Sequence, residues 1–127
     1  MPTAIRKAAY RAAADACRWA ADEGLGACDG WMIDRDCYGQ VSVCALGAMA
    51  LRRALVERSD EDFDIIYDDI LHGSMKTALG MGSFMDAQDI SDRFDVFVAT
   101  TILPIEHGKA GVFWHRAAAM FDDLATN

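Results

Sequence analysis

The sequence predicts a mainly α-helical fold, a compact bundle of about five helices around a buried central helix at about residues 42–57. Two observations lead to this prediction. Four segments carry apolar residues at the three-to-four-residue spacing that lines one face of a helix. Between them, residues 43–51 contain no charge and are apolar on every side, which is typical of a helix buried inside a domain. With 127 residues, of which 53% are hydrophobic and 25% charged, we expect a single globular domain over residues 1–127.

The first predicted helix covers about residues 3–23 and ends before Gly24. Its alanine content gives a high helix propensity and allows close packing against a neighbour. The predicted apolar stripe consists of Ile5, Ala8, Ala9, Ala12, Ala16, Trp19 and Ala20.

Residues 24–41 are rich in glycine and form the longest irregular segment, although residues 31–43 are also compatible with a small β-hairpin. The central helix follows, and Ser42 is its expected N-cap. Gly47 lies within this helix, where glycine costs roughly 1 kcal/mol relative to alanine. We therefore expect a close contact with another part of the backbone at Gly47.

Three more helices are predicted in the second half of the chain. The third covers residues 60–72 after an N-cap at Ser59. The fourth begins at an Asp89 cap and ends at about Leu103, because Pro104 cannot continue a helix. The fifth covers residues 110–125, and a short helical turn is expected at about residues 75–79.

The chain contains no apolar run near the ~20 residues that a membrane-spanning helix needs. The first 24 residues also lack the apolar core of a secretory signal, because charged side chains interrupt them. We therefore expect a cytoplasmic protein that makes no membrane contact and has reduced thiols. The glycines of residues 24–41 form no dinucleotide-binding fingerprint, so we expect no cofactor.

Net charge is −8, and the imbalance is confined to residues 57–95, which contain 11 acidic and 3 basic residues. This sign disfavours direct nucleic-acid binding. An acidic surface can instead meet a basic protein surface, for example that of a nucleic-acid-binding protein, or simply keep the protein in solution. The residues expected to contact a protein partner are acidic or large and apolar: Asp60, Glu61, Asp64, Asp68, Asp69, Trp31, Met81 and Met85.

One helix face suggests an alternative, since Asp64, Asp68 and His72 recur every four residues. Carboxylate and imidazole groups on one face can share a divalent ion, as in a metal-dependent hydrolase. The simpler interpretation is a solvated acidic face, because no second helix offers a matching pair of ligands.

The four cysteines offer a weaker alternative. Cys17 lies in a helical pattern and is expected to be buried. A zinc site from Cys28, Cys37 and Cys44 with His107 or His115 has suitable ligands, but the spacings match no common zinc module. Cys37 could also serve as a nucleophile, although no histidine stands beside it in the sequence.

A motif joins the loop to the central helix: Gly30 and Trp31, then Gly39, then residues 44–48 with the sequence CALGA. With the alanine-rich helix before it, this block resembles a family of small proteins of actinobacteria and their phages that is described as a domain of unknown function. The resemblance covers about residues 3–56 and implies an α-rich fold and no known activity. The family usually has an Asn-Asp pair near its C-terminal helix, where this chain has Glu106 and His107.

Two functional hypotheses remain open. The first is a small, acidic, non-enzymatic protein-binding module, such as a phage or mobile-element accessory or inhibitor protein that acts on a host protein through residues 57–95. The second is the metal-binding protein or metal-dependent hydrolase. We favour the first, because the chain shows no convincing catalytic set. A homodimer is compatible with the high apolar content.

Overall fold

The computed structural model describes residues 3–30, 32–72 and 84–127, without the side chains of Phe84 and Met85. The described chain is mainly helical with a small three-stranded sheet, which confirms the predicted fold class. The helical turn expected at residues 75–79 lies outside the described residues. In chain order the elements are α1 (Ala4–Asp22), β1 (Gly26–Ala27), β2 (Ile33–Arg35), β3 (Val41–Val43), α2 (Ala45–Glu57), α3 (Phe63–His72), α4 (Phe84–Thr100) and α5 (Gly111–Thr126).

Helices α1 and α5 lie antiparallel and form the largest helix–helix interface. Tyr10, near the start of α1, stacks on Phe121 near the end of α5, with ring centroids 6.4 Å apart. The bounds of α1 confirm the prediction, and the Thr3 hydroxyl caps it by accepting the Arg6 N–H.

The predicted apolar stripe of α1 was wrong in its first half, because Ile5 and Ala8 are exposed. Ala12 is exposed as well. Alanine occupies several sides of α1, so spacing alone does not identify the buried side. The buried side is instead set by Tyr10, whose ring is buried against α5 and whose hydroxyl donates to Asp89 of α4 at 2.5 Å.

The sheet has the strand order β1-β3-β2. Strands β2 and β3 pair antiparallel, so the small hairpin predicted near residues 31–43 is confirmed. Strand β1 pairs parallel to β3, which the sequence did not indicate because β1 contains only two residues. On the outer edge of β1, the Ala27 N–H donates to the Ile105 carbonyl at 2.7 Å, which attaches the loop between α4 and α5 to the sheet.

The first two turns of α2 are buried on every side, from Ala45 to Leu51, as the uncharged sequence predicted. The predicted N-cap, Ser42, was wrong, because Ser42 is paired within β3. Cys44 takes the N-cap position, and its Sγ accepts the Gly47 N–H at 3.4 Å.

Gly47 makes the close backbone contact that its position predicted. A Cβ atom at Gly47 would overlap the carbonyl group of Met32. The same Met32 oxygen accepts the Cys44 N–H at 3.1 Å, so the residue before β2 is held against the first turn of α2. Only glycine allows this approach without a backbone shift.

The starts of α3 and α4 differ from the prediction. Helix α3 begins at Phe63, and the Asp62 carboxylate accepts the Asp64 N–H at 2.8 Å. Ser59 is therefore not its cap. Helix α4 begins at Phe84, well before Asp89. The Asp89 carboxylate is not a cap, because it accepts hydrogen bonds from Tyr10 and Arg93.

Helix α4 ends at Thr100, three residues before the predicted end at Leu103. Helix α5, Gly111–Thr126, agrees with the prediction to within one residue at each end.

A cluster of aromatic rings joins α4 to α5 in the core. Phe94 stacks on Trp114 with centroids 5.5 Å apart and meets Phe113 edge-on. Trp114 is fully buried, and its indole N–H donates to the Leu25 carbonyl at 2.9 Å. This bond fixes the start of α5 against the segment that leaves α1.

We expect Gly47→Ala to lower the free energy of unfolding by about 2 kcal/mol, because overpacking against the Met32 backbone outweighs the gain in helix propensity. Gly111→Ala is the matched control, since a Cβ at that helical glycine meets nothing within 4 Å. It should leave stability unchanged or raise it by up to about 1 kcal/mol. Urea unfolding followed by circular dichroism measures both variants. Wild-type stability in Gly47→Ala would contradict the contact.

Candidate functional site: the acidic ridge of α3

Five carboxylates that the sequence assigned to partner binding lie together on the exposed side of α3 and on the turn before it. This group, called the acidic ridge, consists of Asp60, Glu61, Asp64, Asp68 and Asp69, all exposed. The opposite side of α3 buries Ile66, Tyr67 and Ile70, and the helix packs against α2. Burial of that apolar side orients the carboxylates toward solvent.

Two arginines partly neutralise the acidic ridge. The Arg58 guanidinium lies 2.7 Å from Asp69 and also donates to Glu61, from Nε to Oε1 at 2.9 Å. Arg35 of β2 pairs with Asp64. Within the described parts of the chain, Asp60 and Asp68 have no cationic partner. Five carboxylates against two arginines leave the ridge with a net charge of −3.

Arg35 also links the hairpin to α3, since its guanidinium lies 5.0 Å above the centroid of the buried Tyr67 ring. A cation placed over an aromatic ring is attracted by the negative face of the π system. The ridge is thereby anchored at one side by the sheet and at the other by Arg58, which follows α2.

Electrostatics keep the Glu61 carboxylate of the ridge ionised. Hydrogen bonds from Arg58 hold the pKa of Glu61 below its ordinary value, and the same bonds to Glu61 and Asp69 raise the pKa of Arg58. A general acid or base needs a pKa near the working pH. The shift of Glu61 moves its pKa away from neutrality, so this carboxylate is suited to charge recognition and not to proton transfer.

An apolar side chain lies in the middle of these carboxylates. Ile65 is 53% exposed, and Asp68 and Asp69 follow it by three and four residues, which places them beside it on the helix surface. Leu71 on the flank is 44% exposed. The sequence did not identify Ile65 as an exposed residue of this surface. The run Ile65-Ile66-Tyr67 contains more apolar residues than the buried side of one helix can hold, and the pattern does not show which of them is exposed.

The structure does not describe the side chains of the three predicted apolar contributors. Trp31 and Met81 are outside the described residues. Met85 lies on α4, but its side chain is also outside them.

The predicted metal ligands Asp64, Asp68 and His72 are all exposed on α3. Asp64 is paired with Arg35. Among residues 3–30, 32–72 and 84–127, no three His, Cys, Asp or Glu side chains come close enough together to hold a metal ion. The metal-binding hypothesis therefore gains no ligand cluster and stays a prediction.

The cysteine alternatives are spread over different environments. Cys37 is exposed in the turn between β2 and β3, while Cys44 and Cys17 are buried. Burial raises the pKa of the Cys28 thiol to about 12 and also raises the pKa of Cys44. Zinc binding and nucleophilic attack both require a thiolate, which these two groups resist forming at neutral pH. His115 is exposed on α5, and His107 is half-buried in the loop beside β1.

Two surface grooves accompany the ridge, and neither was indicated by the sequence. One of about 360 Å³ lies between α1 and α2 and is lined by Ala12, Ala16, Met49, Arg52, Arg53, Val56 and Glu57. The other, of about 580 Å³, lies between α4 and α5. Both grooves contain exposed apolar side chains, and a helical pattern predicts the exposure of such side chains only approximately.

Comparisons with protein-family models, with curated proteins and with solved structures found no significant match to this chain. The resemblance to small actinobacterial and phage proteins therefore stays a prediction. No helix in the described part of the chain is long and apolar enough to cross a membrane.

We expect the free energy of unfolding to fall as pH rises above about 9. Burial raises the pKa of Cys28 from an ordinary value of 9.0 to about 12, so the folded state keeps a proton that the unfolded chain releases. The stabilisation is complete below the unfolded pKa and is lost as pH rises through the folded one. Urea unfolding between pH 7 and about 11 measures this slope.

The buried Cys17 and Cys44 add to the same slope, because burial raises their pKa values too. Cys28→Ser should therefore reduce the slope without abolishing it, whereas Cys37→Ser, at an exposed position, should leave it unchanged. An identical slope in Cys28→Ser and wild type would show that the Cys28 thiol is not protected in this way.

Proposed function

We propose that this chain is a small, non-enzymatic protein-binding module that docks on a basic surface of a protein partner through the acidic ridge. The observation that carries the proposal is the surface itself: exposed Ile65 lies beside Asp68 and Asp69 on a ridge of five carboxylates that pair with only two arginines. Protein interfaces commonly combine an apolar centre with a polar rim. A surplus of negative charge selects a partner of the opposite sign and speeds its association.

The partner's chemistry follows from the ridge. Lysine or arginine side chains around a small apolar depression would meet the carboxylates and Ile65 together. A nucleic-acid-binding protein offers such a basic surface, since it neutralises phosphates with the same side chains. An acidic module placed there would compete with the nucleic acid, which is the inhibitor role proposed for this chain.

The accessory or inhibitor role on a phage or another mobile element is supported only by the resemblance of residues 3–56 to small actinobacterial and phage proteins. The binding role does not depend on it, because the ridge is defined by its own side chains. The binding role and the phage or mobile-element role can therefore be tested separately.

The test compares a ridge variant with a control of equal charge change. Asp60→Lys with Asp68→Lys reverses the two ridge carboxylates that lack a cationic partner in the described structure. Asp22→Lys with Glu106→Lys makes the same change at exposed sites outside the ridge. Native mass spectrometry of each protein, purified from the cell in which the chain naturally occurs, identifies any protein that remains bound.

We expect one basic protein to accompany the wild type and the control, and its retention to fall at least about tenfold in the ridge variant, as for loss of a central contact. Raising the salt concentration should weaken the complex, because exposed charges are screened. A partner that the ridge variant retains as well as the control would refute the proposed surface. A protein that carries no partner would refute the function.

A further inference from the structure

The groove between α4 and α5 is a second surface with its own chemistry. It has a volume of about 580 Å³ and lies between the two helices. Its lining residues come from both helices: Asp92, Arg93, Val96, Phe97, Thr100, Met120, Asp123 and Leu124.

The floor of this groove is apolar and open. Val96 is 63% exposed, and Phe97, Met120 and Leu124 are each half-buried. None of the eight lining residues is fully buried, so the groove is a trough and not an enclosed cavity. A small molecule would remain largely in water there, whereas an elongated apolar segment would cover the floor.

Most polar side chains of the groove are already satisfied. Arg93 donates to Asp89 at 3.1 Å, and its guanidinium lies 5.7 Å from the centroid of the Tyr10 ring. The Thr100 hydroxyl donates to the Val96 carbonyl at 2.7 Å. The groove therefore offers few uncommitted donors to a polar ligand.

Two carboxylates of the groove lack a compensating charge. Asp92 accepts a hydrogen bond only from the neutral Gln88 amide, at 2.9 Å, and Asp123 has no ion pair in the described structure. Both carboxylates line the groove, Asp92 from α4 and Asp123 from α5. Arg116 of α5 is exposed and does not line the groove.

The length of the groove matches a short helix. From Asp92 to Thr100 the trough follows nine residues of α4, and the eight steps between them span about 12 Å at 1.5 Å each. This length accommodates apolar residues at positions i, i+3 or i+4, and i+7 of a docked helix.

We infer that the groove between α4 and α5 binds an amphipathic helix of a protein partner. The apolar side chains of that helix would pack on Val96, Phe97, Met120 and Leu124. Its lysine or arginine side chains would lie beside Asp92 and Asp123. Charge complementarity selects this occupant, since the carboxylates would repel an acidic helix and the apolar floor offers nothing to a polar one. The inference does not depend on the acidic ridge.

A display library of random 16-residue peptides is selected for binding to the full chain. The binding site of the enriched peptides is then mapped by chemical-shift changes in the ¹⁵N-labelled protein. Enriched peptides should combine helical apolar spacing with lysine or arginine, and the shifts should centre on the four floor residues. Val96→Asp should weaken binding at least about tenfold, and Asp92→Asn with Asp123→Asn about three- to tenfold.

Ile102→Asp is the matched control, because Ile102 is fully exposed but does not line the groove, and it should bind like the wild type. The ridge variant Asp60→Lys with Asp68→Lys should also bind normally, which separates this inference from the proposed function. No enrichment, acidic or uncharged peptides, or equal binding by Val96→Asp would each overturn the inference. Floor resonances that move on dilution without peptide would overturn it too, because a second copy of the chain would then occupy the groove.

Discussion

The contact between Gly47 and the Met32 carbonyl is the constraint on which the rest of the structure depends. It brings the hairpin against the first turn of α2 at a distance that excludes any side chain at Gly47. The Met32 oxygen also accepts the Cys44 N–H, so one carbonyl group satisfies a backbone donor at the start of the helix and fixes the helix position. With α2 placed in this way, α1, α3 and α4 all pack on it.

The acidic ridge inherits its geometry from that arrangement. Arg35 belongs to β2 of the hairpin, and Arg58 directly follows α2, so both cations come from the elements that the Met32 contact joins. They position α3 from two sides while leaving Asp60 and Asp68 without a cationic partner in the described residues. Surface ion pairs of this exposure contribute little to stability. Their main effect is to determine which carboxylates remain available for another molecule.

The sequence predicted the structure best where a single residue or the spacing of apolar residues determined it. The buried central helix, the close approach at Gly47 and the bounds of α1 and α5 all followed from the pattern and from glycine's cost within a helix. Helix starts were less predictable, because several acidic and hydroxyl residues could cap each helix. Contacts with other elements determine which residue does so. Asp89 resembled a cap but serves Tyr10 and Arg93, and Ser42 belongs to a strand. The carboxylates of the ridge were predictable from composition, but their arginine partners and the exposed Ile65 depend on how distant segments meet.

The attachment of the loop between α4 and α5 to β1 has a consequence for the speed of folding. Ala27 bonds Ile105, and Leu25 bonds Trp114, which is 89 residues away in the chain. A helical bundle usually folds fast because its contacts are local, whereas contacts between distant residues require closing a long loop first. During synthesis, β1 can pair with β3 early, but Leu25 cannot reach Trp114 until α5 has been made. We therefore expect this mainly helical chain to fold more slowly than its helix content alone suggests.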